Sequence, residues 1–216
     1  MLYLKNCHII DEVSDYIDDI LIDSGKIKLI GKAKITNYIT EKNQEALLPD
    51  LHVQTKLDIL ELDLCNRLVM PAFVDLHFHM RNPGQEHKET LISANKAAIK
   101  GGYTDLLAMA NTNPVIDNKT LITEIIEKNN SLGMTRLLQV SAVTKGLNGK
   151  ALVDFEENRK ATRFFSDDGK NIDDEQIMRE ALLASKQHDF IILDHSEEET
   201  EMVIRNLDLV RQTGGN

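Results

Sequence analysis

From Met70 onward the chain repeats one pattern: a short apolar run, a polar loop, then a longer stretch with apolar residues on one side. The apolar runs fall at 72–77, 104–109, 135–141, 162–166 and 190–194, and the longer stretches at 88–100, 118–131, 150–158, 173–187 and 197–212. Strand-like runs alternating with helical ones predict βα units, and consecutive βα units predict a parallel sheet with helical crossovers. In 173–187, Ile177, Ala181, Leu182 and Ala184 form a one-sided apolar stripe. Asp173-Asp174-Glu175 before it puts negative charge at the positive end of the helix. Gly101-Gly102 supplies a glycine stop after 88–100.

Five such units make either an open doubly wound sheet or part of a (β/α)8 barrel. The polar residues select the barrel. His77 and His79, Asn111, Asp167-Asp168 and His195 each follow a strand at its C-terminal end, where barrel sites are assembled from several strands. An open sheet gathers its site at one switch point, usually behind a glycine-rich first loop. No G-x-G-x-x-G or P-loop pattern follows any strand. A whole barrel takes about 250 residues, and 70–216 supplies roughly three fifths of that. The expectation is therefore an α/β chain holding a partial (β/α)8 barrel of about five units, its C-terminal part absent and its sheet edges unpaired.

Residues 1–69 read differently. Short β-type runs recur at Leu2–Leu4, His8–Ile10, Ile17–Ile22, Lys26–Ile30 and Leu57–Leu62, and Ser24-Gly25-Lys26 suggests a hairpin. Residues 36–56 are polar and without period, as expected of a loop or surface insertion. The segment is predicted to be a small β-rich unit.

The formal charge of −10, with no basic stripe to offset it, argues against nucleic acid or an anionic membrane as partner. Cys7 and Cys65 lie far apart with no CxxC spacing, so neither a disulfide framework nor a thiolate metal site is suggested. No apolar stretch approaches the roughly 18 residues of a spanning helix, and no N-terminal leader pattern is present. These features read as a cytoplasmic protein.

His77 and His79 sit one residue apart on a candidate strand, so their rings point to the same side. The surrounding run, Val69 to Arg81, is apolar enough to expect a strand buried on both faces. Two imidazoles facing one way form half of a metal site; paired surface histidines are the plainer alternative. Asp75 is either an orienting acid or an ordinary strand-end acid. His195, with Ser196-Glu197-Glu198 behind it, and Asp168 add further candidate ligands. Zinc takes imidazole and carboxylate, and a carboxylate can bridge two ions. Asp167-Asp168-Gly169 is equally a turn signal. Arg81 could fork onto a substrate carboxylate or make a surface ion pair. Asn111 could donate to the same carboxylate or make an Asx turn before Pro114. His8, His52, His87 and His188 have no partners at ligand spacing and are expected to be structural or surface residues.

Met70-Pro-Ala-Phe-Val-Asp-Leu-His-Phe-His-Met-Arg-Asn-Pro-Gly84, Lys88-Glu-Thr90, Gly101-Gly-Tyr-Thr104, Asn111-Thr-Asn-Pro114 and Phe165-Ser-Asp-Asp-Gly-Lys170 together resemble the longer, bacterial-type dihydroorotases of the amidohydrolase superfamily. The likeness runs from the β-rich start through residue 216. Related hydantoinases and allantoinases carry a carboxylated lysine between two metals, whereas Ser166-Asp167-Asp168 stands there in this chain. The resemblance implies two zinc ions, with His77 and His79 on one, Asp168 bridging and His195 on the other. Family spacing to His195 favours Asp168 over Asp167. It also implies that His79, Arg81 and Asn111 contact the substrate. Ala72 replaces the family's usual glycine, Ala110 a proline, and Asn82 a common aspartate; 36–56 is longer than the usual connector.

The implied activity is a zinc-dependent cyclic amide hydrolysis interconverting N-carbamoyl-L-aspartate and L-dihydroorotate in pyrimidine biosynthesis. By the same resemblance the general acid/base lies beyond Asn216, so no catalytic acid is expected within the chain. It looks like the first half of such an enzyme, inactive alone. The alternative is a non-catalytic dihydroorotase-like partner of aspartate carbamoyltransferase, and a homo-oligomer is a further expectation.

Overall fold

Ser24 and Gly25 both take positive φ, 50° and 75°, the conformation of a two-residue hairpin turn whose twist matches its strands. They join β2 (Asp15–Asp23) to β3 (Lys26–Ile30) within a mixed sheet. β1 (Leu2–Ile10) pairs antiparallel with β2, and parallel with β6 (Leu60–Asp63) and β7 (Leu68–Val69). The two runs expected at 2–4 and 8–10 are thus one strand with an irregularity between Leu4 and Cys7. Buried Asp19 pins that irregularity, accepting from Asn6 N at 2.9 Å and Tyr3 OH at 2.6 Å.

The computed structural model describes residues 1–45, 47–48, 53–54, 57–195 and 200–216. They form two compact units, Met1–Pro71 and Ala72–Asn216. In the first unit, α1 (Lys32–Glu45) occupies much of the segment expected to be a loop. Its start is capped from another element, Asp18 Oδ1 accepting from Lys32 N at 2.8 Å. Ile35, Tyr38 and Ile39, spaced i, i+3, i+4, pack against Tyr3 and Leu21. Three apolar residues among polar ones are too few to reveal the period without the sheet beneath them. A short antiparallel pair follows, β4 (Leu47–Leu48) with β5 (Val53–Gln54); the rest of 46–56 lies outside the described residues.

In the second unit the strands are β8 (Phe73–Phe78), β9 (Tyr103–Ala108), β10 (Arg136–Gln139), β11 (Phe164–Phe165) and β12 (Ile191–Ile192). β8–β9, β9–β10 and β11–β12 pair in parallel, and a parallel bridge between Ser141 and Phe165 joins the two groups. Each strand therefore neighbours the next in sequence with no reversal, which is barrel order rather than doubly wound order. Between them run α2 (Leu91–Lys100), α3 (Lys119–Asn130), α4 (Phe155–Asn158) and α5 (Glu175–His188), and α6 (Thr200–Thr213) follows β12. Residues 196–199, where the last helix was expected to begin, lie outside the described residues.

Strand alternation sorts the core. Leu106, Ala108 and Leu137 pack with Ala94, Ala98, Ile122 and Ile125 of the helices, while Leu107, Met109 and Val140 pack with Leu138, Phe164 and Leu193 on the opposite face. α4 is shorter than expected because Asp154 caps it, accepting from Glu157 N at 3.0 Å. α5 begins behind Asp174, which accepts from Gln176 N and Ile177 N, and buries Met178, Ala181, Leu182 and Ser185.

A further expectation fails at β8. β8 is not buried on both faces: Phe73, Val74 and Leu76 are 47%, 52% and 69% exposed. Among the described residues β8 has a neighbour only on the β9 side. Five strands do not supply the layers of side chains that fill a closed barrel. Among the described residues no helix is long and apolar enough to cross a membrane.

Fully buried Asn95 and Asn129 tie α2 and α3 to the approach to β10. Asn95 Nδ2 donates to Asn129 Oδ1 at 2.8 Å, Asn129 Nδ2 to Thr135 O at 2.8 Å, and Thr135 N to Asn95 Oδ1 at 3.1 Å. Asn129→Ala orphans the Thr135 carbonyl and removes a partner from Asn95, so it should destabilise the chain by about 2–3 kcal/mol. An unchanged denaturation midpoint would refute this.

Candidate metal centre

The pairing of β8 with β9 slips between Asp75 and Phe78, where the bulged strand carries one extra residue. Asp75 Oδ1 accepts from His77 N at 3.0 Å inside that bulge, so this acid shapes the backbone that carries the histidine. His77 and His79 still converge: their Nε2 atoms are 3.3 Å apart. Asp168, three residues past β11, brings Oδ2 to 3.6 Å from both nitrogens. His195, three residues past β12, brings Nε2 to 3.4 Å from the other oxygen, Oδ1. The donors thus come from the C-terminal ends of three strands, and the Asp168 carboxylate, 3% exposed, stands between two sets of imidazole nitrogens.

These spacings suit a cation. Bonds of about 2.0–2.2 Å at tetrahedral angles place ligand atoms about 3.3–3.6 Å apart, and the triangle of His77 Nε2, His79 Nε2 and Asp168 Oδ2 has sides of 3.3, 3.6 and 3.6 Å. These three residues form a group able to hold a metal ion.

Asp167 faces elsewhere. Its carboxylate accepts from Val143 N at 2.7 Å, from Thr144 N at 3.0 Å and from the Thr144 hydroxyl, fastening the loop after β10. Burial pushes its carboxyl above the usual range, against the pull of the Thr144 and Val143 hydrogen bonds. Ser166 acts alongside it, donating to Leu193 O at 2.7 Å and accepting from Asp168 N at 3.2 Å. Nothing in the sequence but adjacency to the acids marked Ser166 out.

Asn111, beyond β9, reaches both sides of the cluster: Nδ2 donates to Asp168 Oδ2 at 2.8 Å, and Oδ1 lies 3.1 Å from His79 Nδ1. Its loop is clamped by the loop after β8. Gln85 Nε2 donates to Asn111 O at 3.2 Å, and Asn113 N to Pro83 O at 3.1 Å. Gly84, at φ +84°, lies against Asn113 so closely that a Cβ there would stand 1.7 Å from the Asn113 carbonyl oxygen. Arg81 begins this loop in the left-handed region at φ 59° and is half-buried.

The other histidines stay apart from the cluster where they are described. His8 pairs with Asp15 at 2.7 Å, and His52 lies outside the described residues. Cys7 is buried, Cys65 exposed, and both are free. An open groove of about 690 Å³ lies beside α3 and α4, but Asp117, Lys119, Lys145 and Asp154 line it and no histidine does; the convergent donors, not the volume, mark the candidate site.

The family model described as dihydro-orotase-like matches residues 66–214. A dihydroorotase of Aquifex aeolicus is 35% identical over 201 residues, covering 92% of this chain and 43% of the relative. One of Clostridium botulinum is 31% identical over 229 residues, covering 100% and 52%. The chain spans about half the length of these curated relatives. An L-hydantoinase structure from Arthrobacter aurescens superposes with a TM-score of 0.72 at 16% identity, over 99% of this chain and 51% of that one, a likeness of fold consistent with a partial barrel. The chain belongs to the dihydro-orotase-like family.

Proposed function

We propose that the chain forms the metal-bearing part of a zinc-dependent cyclic amidohydrolase that interconverts N-carbamoyl-L-aspartate and L-dihydroorotate. The observation that carries this reading is the division of the Asp168 carboxylate, Oδ2 towards His77 and His79 and Oδ1 towards His195. His77, His79 and Asp168 would hold one zinc ion, and Asp168 with His195 would contribute to a second. When bound, zinc supplies Lewis acidity towards a carbonyl and lowers the pKa of water to about 7.

The chain's own residues orient the substrate. Arg81 offers a planar fork that matches a carboxylate. Asn111 Nδ2 carries two hydrogens and spends one on Asp168; the second is available to the same substrate carboxylate. Holding that group fixes where the ring amide lies relative to the cluster. Proton delivery to the leaving nitrogen needs an acid in reach, and we assign it to a group outside these 216 residues. The matched relatives are dihydroorotases by name, and a non-catalytic role beside aspartate carbamoyltransferase is not favoured.

Titration of the metal-free chain with Zn2+ tests the reading. Two binding events are expected, the first tighter because His77, His79 and Asp168 supply three donors and the second draws on fewer. Dihydroorotate hydrolysis by the loaded chain should stay at background. A single equivalent would remove the second metal, no binding would remove the whole reading, and turnover would overturn the external acid.

A further inference from the structure

Asn111 is hydrogen-bonded at both ends of its amide, and both partners belong to the proposed ligand set. We propose that Asn111 is a positioning residue: it fixes the tautomer of His79, so that the Nε2 lone pair faces the metal position before any metal arrives. The consequence rests on the metal reading above; the geometry does not.

Donors and acceptors fix the orientation of both side chains. A carboxylate only accepts. Asn111 meets Asp168 Oδ2 at 2.8 Å, so its NH2 end must face that oxygen; the flipped amide would set two acceptors against each other. Asn111 Oδ1 then faces His79 Nδ1 at 3.1 Å. An amide oxygen also only accepts, so His79 Nδ1 carries the proton. A neutral imidazole has one N–H, which leaves Nε2 with its lone pair. That atom lies 3.3 Å from His77 Nε2 and 3.6 Å from Asp168 Oδ2, on the side where the ligand atoms converge. Free histidine in water prefers the opposite tautomer, so without Asn111 the ring would have to exchange its proton before binding.

The position of the amide is set in turn by the loop after β8, through Gln85 Nε2 on Asn111 O and Pro83 O on Asn113 N. Asn111 thereby links the loop after β8, the His79 ring and the Asp168 carboxylate. This is a role of orientation, of the kind an outer partner plays for a ligating histidine, and it leaves the second Nδ2 hydrogen for substrate.

The test uses the whole 216-residue chain, 15N-labelled, stripped of metal and held at a pH where its histidines are neutral. Long-range 1H–15N correlation reads the His79 tautomer directly. Nδ1–H is expected in the wild type; Nε2–H would overturn the proposal, whatever any variant does. In Asn111→Ala the ring should move towards Nε2–H and Zn2+ affinity should fall about 10–100-fold. A variant that loses stability but keeps the Nδ1–H tautomer would also overturn it, since that is the mark of a merely structural residue. If the variant does not fold, the wild-type spectrum decides alone. A wild type with Nδ1–H that binds no Zn2+ would sink the metal reading and leave the tautomer lock standing, so the two failures are distinguishable.

Discussion

Asp168→Asn should lower zinc affinity by about two orders of magnitude, while Asp167→Ala should leave that affinity within a few-fold and destabilise the fold instead. Zinc bound by four protein ligands carries about 10–16 kcal/mol, or roughly 3 kcal/mol per ligand, and about 1.4 kcal/mol is a tenfold change. Asparagine keeps the size of Asp168 but removes its charge and turns one oxygen facing the imidazoles into a donor. Asp167 points to the loop after β10, where it satisfies Val143 N and Thr144 N. Alanine there orphans two buried N–H groups at about 1–3 kcal/mol each. Zinc titration and thermal unfolding of both variants separate the roles. Wild-type affinity in Asp168→Asn would remove this residue from the site.

The second large effect is expected at Gly84. Alanine at φ +84° costs about 1–2 kcal/mol for its backbone conformation alone. Its Cβ would also stand 1.7 Å from Asn113 O and 2.8 Å from Asn113 C, and those are backbone atoms that cannot rotate away. One of the two loops must move. Either movement breaks the bond from Asn113 N to Pro83 O and loosens Gln85 on Asn111, so the amide drifts from His79 and Asp168. Melting should drop by several degrees, at about 2–4 °C per kcal/mol in a chain of this size, and zinc affinity should fall with it. A melting temperature and an affinity both unchanged would show that the loops do not clamp Asn111.

Much of this was legible before folding because it depends on local chemistry. The hairpin at Ser24-Gly25 followed from a turn dipeptide set between two apolar runs. The βα order of 70–216 followed from apolar spacing. His77 and His79 announced themselves by a spacing that survives even the bulge beneath them. α1 was not legible: its cap comes from Asp18 on a strand, and its apolar face is three residues long. Nor was the exposure of β8. Its composition is that of a strand covered on both faces, yet burial depends on neighbours, and among the described residues it has one on a single side.

Two adjacent aspartates show where the division falls. Sequence alone determined that carboxylates follow the fourth parallel strand and histidines follow the first and fifth, because alternation and strand ends are properties of short stretches. Which aspartate meets the histidines depended on how residues 143–144 close over Asp167, a contact between segments more than twenty residues apart. The doubly bonded amide of Asn111 is of the same kind: its partners lie 32 and 57 residues away in sequence. Local propensity has no reach over such distances. Only the parallel packing of successive strands brings their C-terminal ends within hydrogen-bonding range, and with it one carboxylate between three imidazoles.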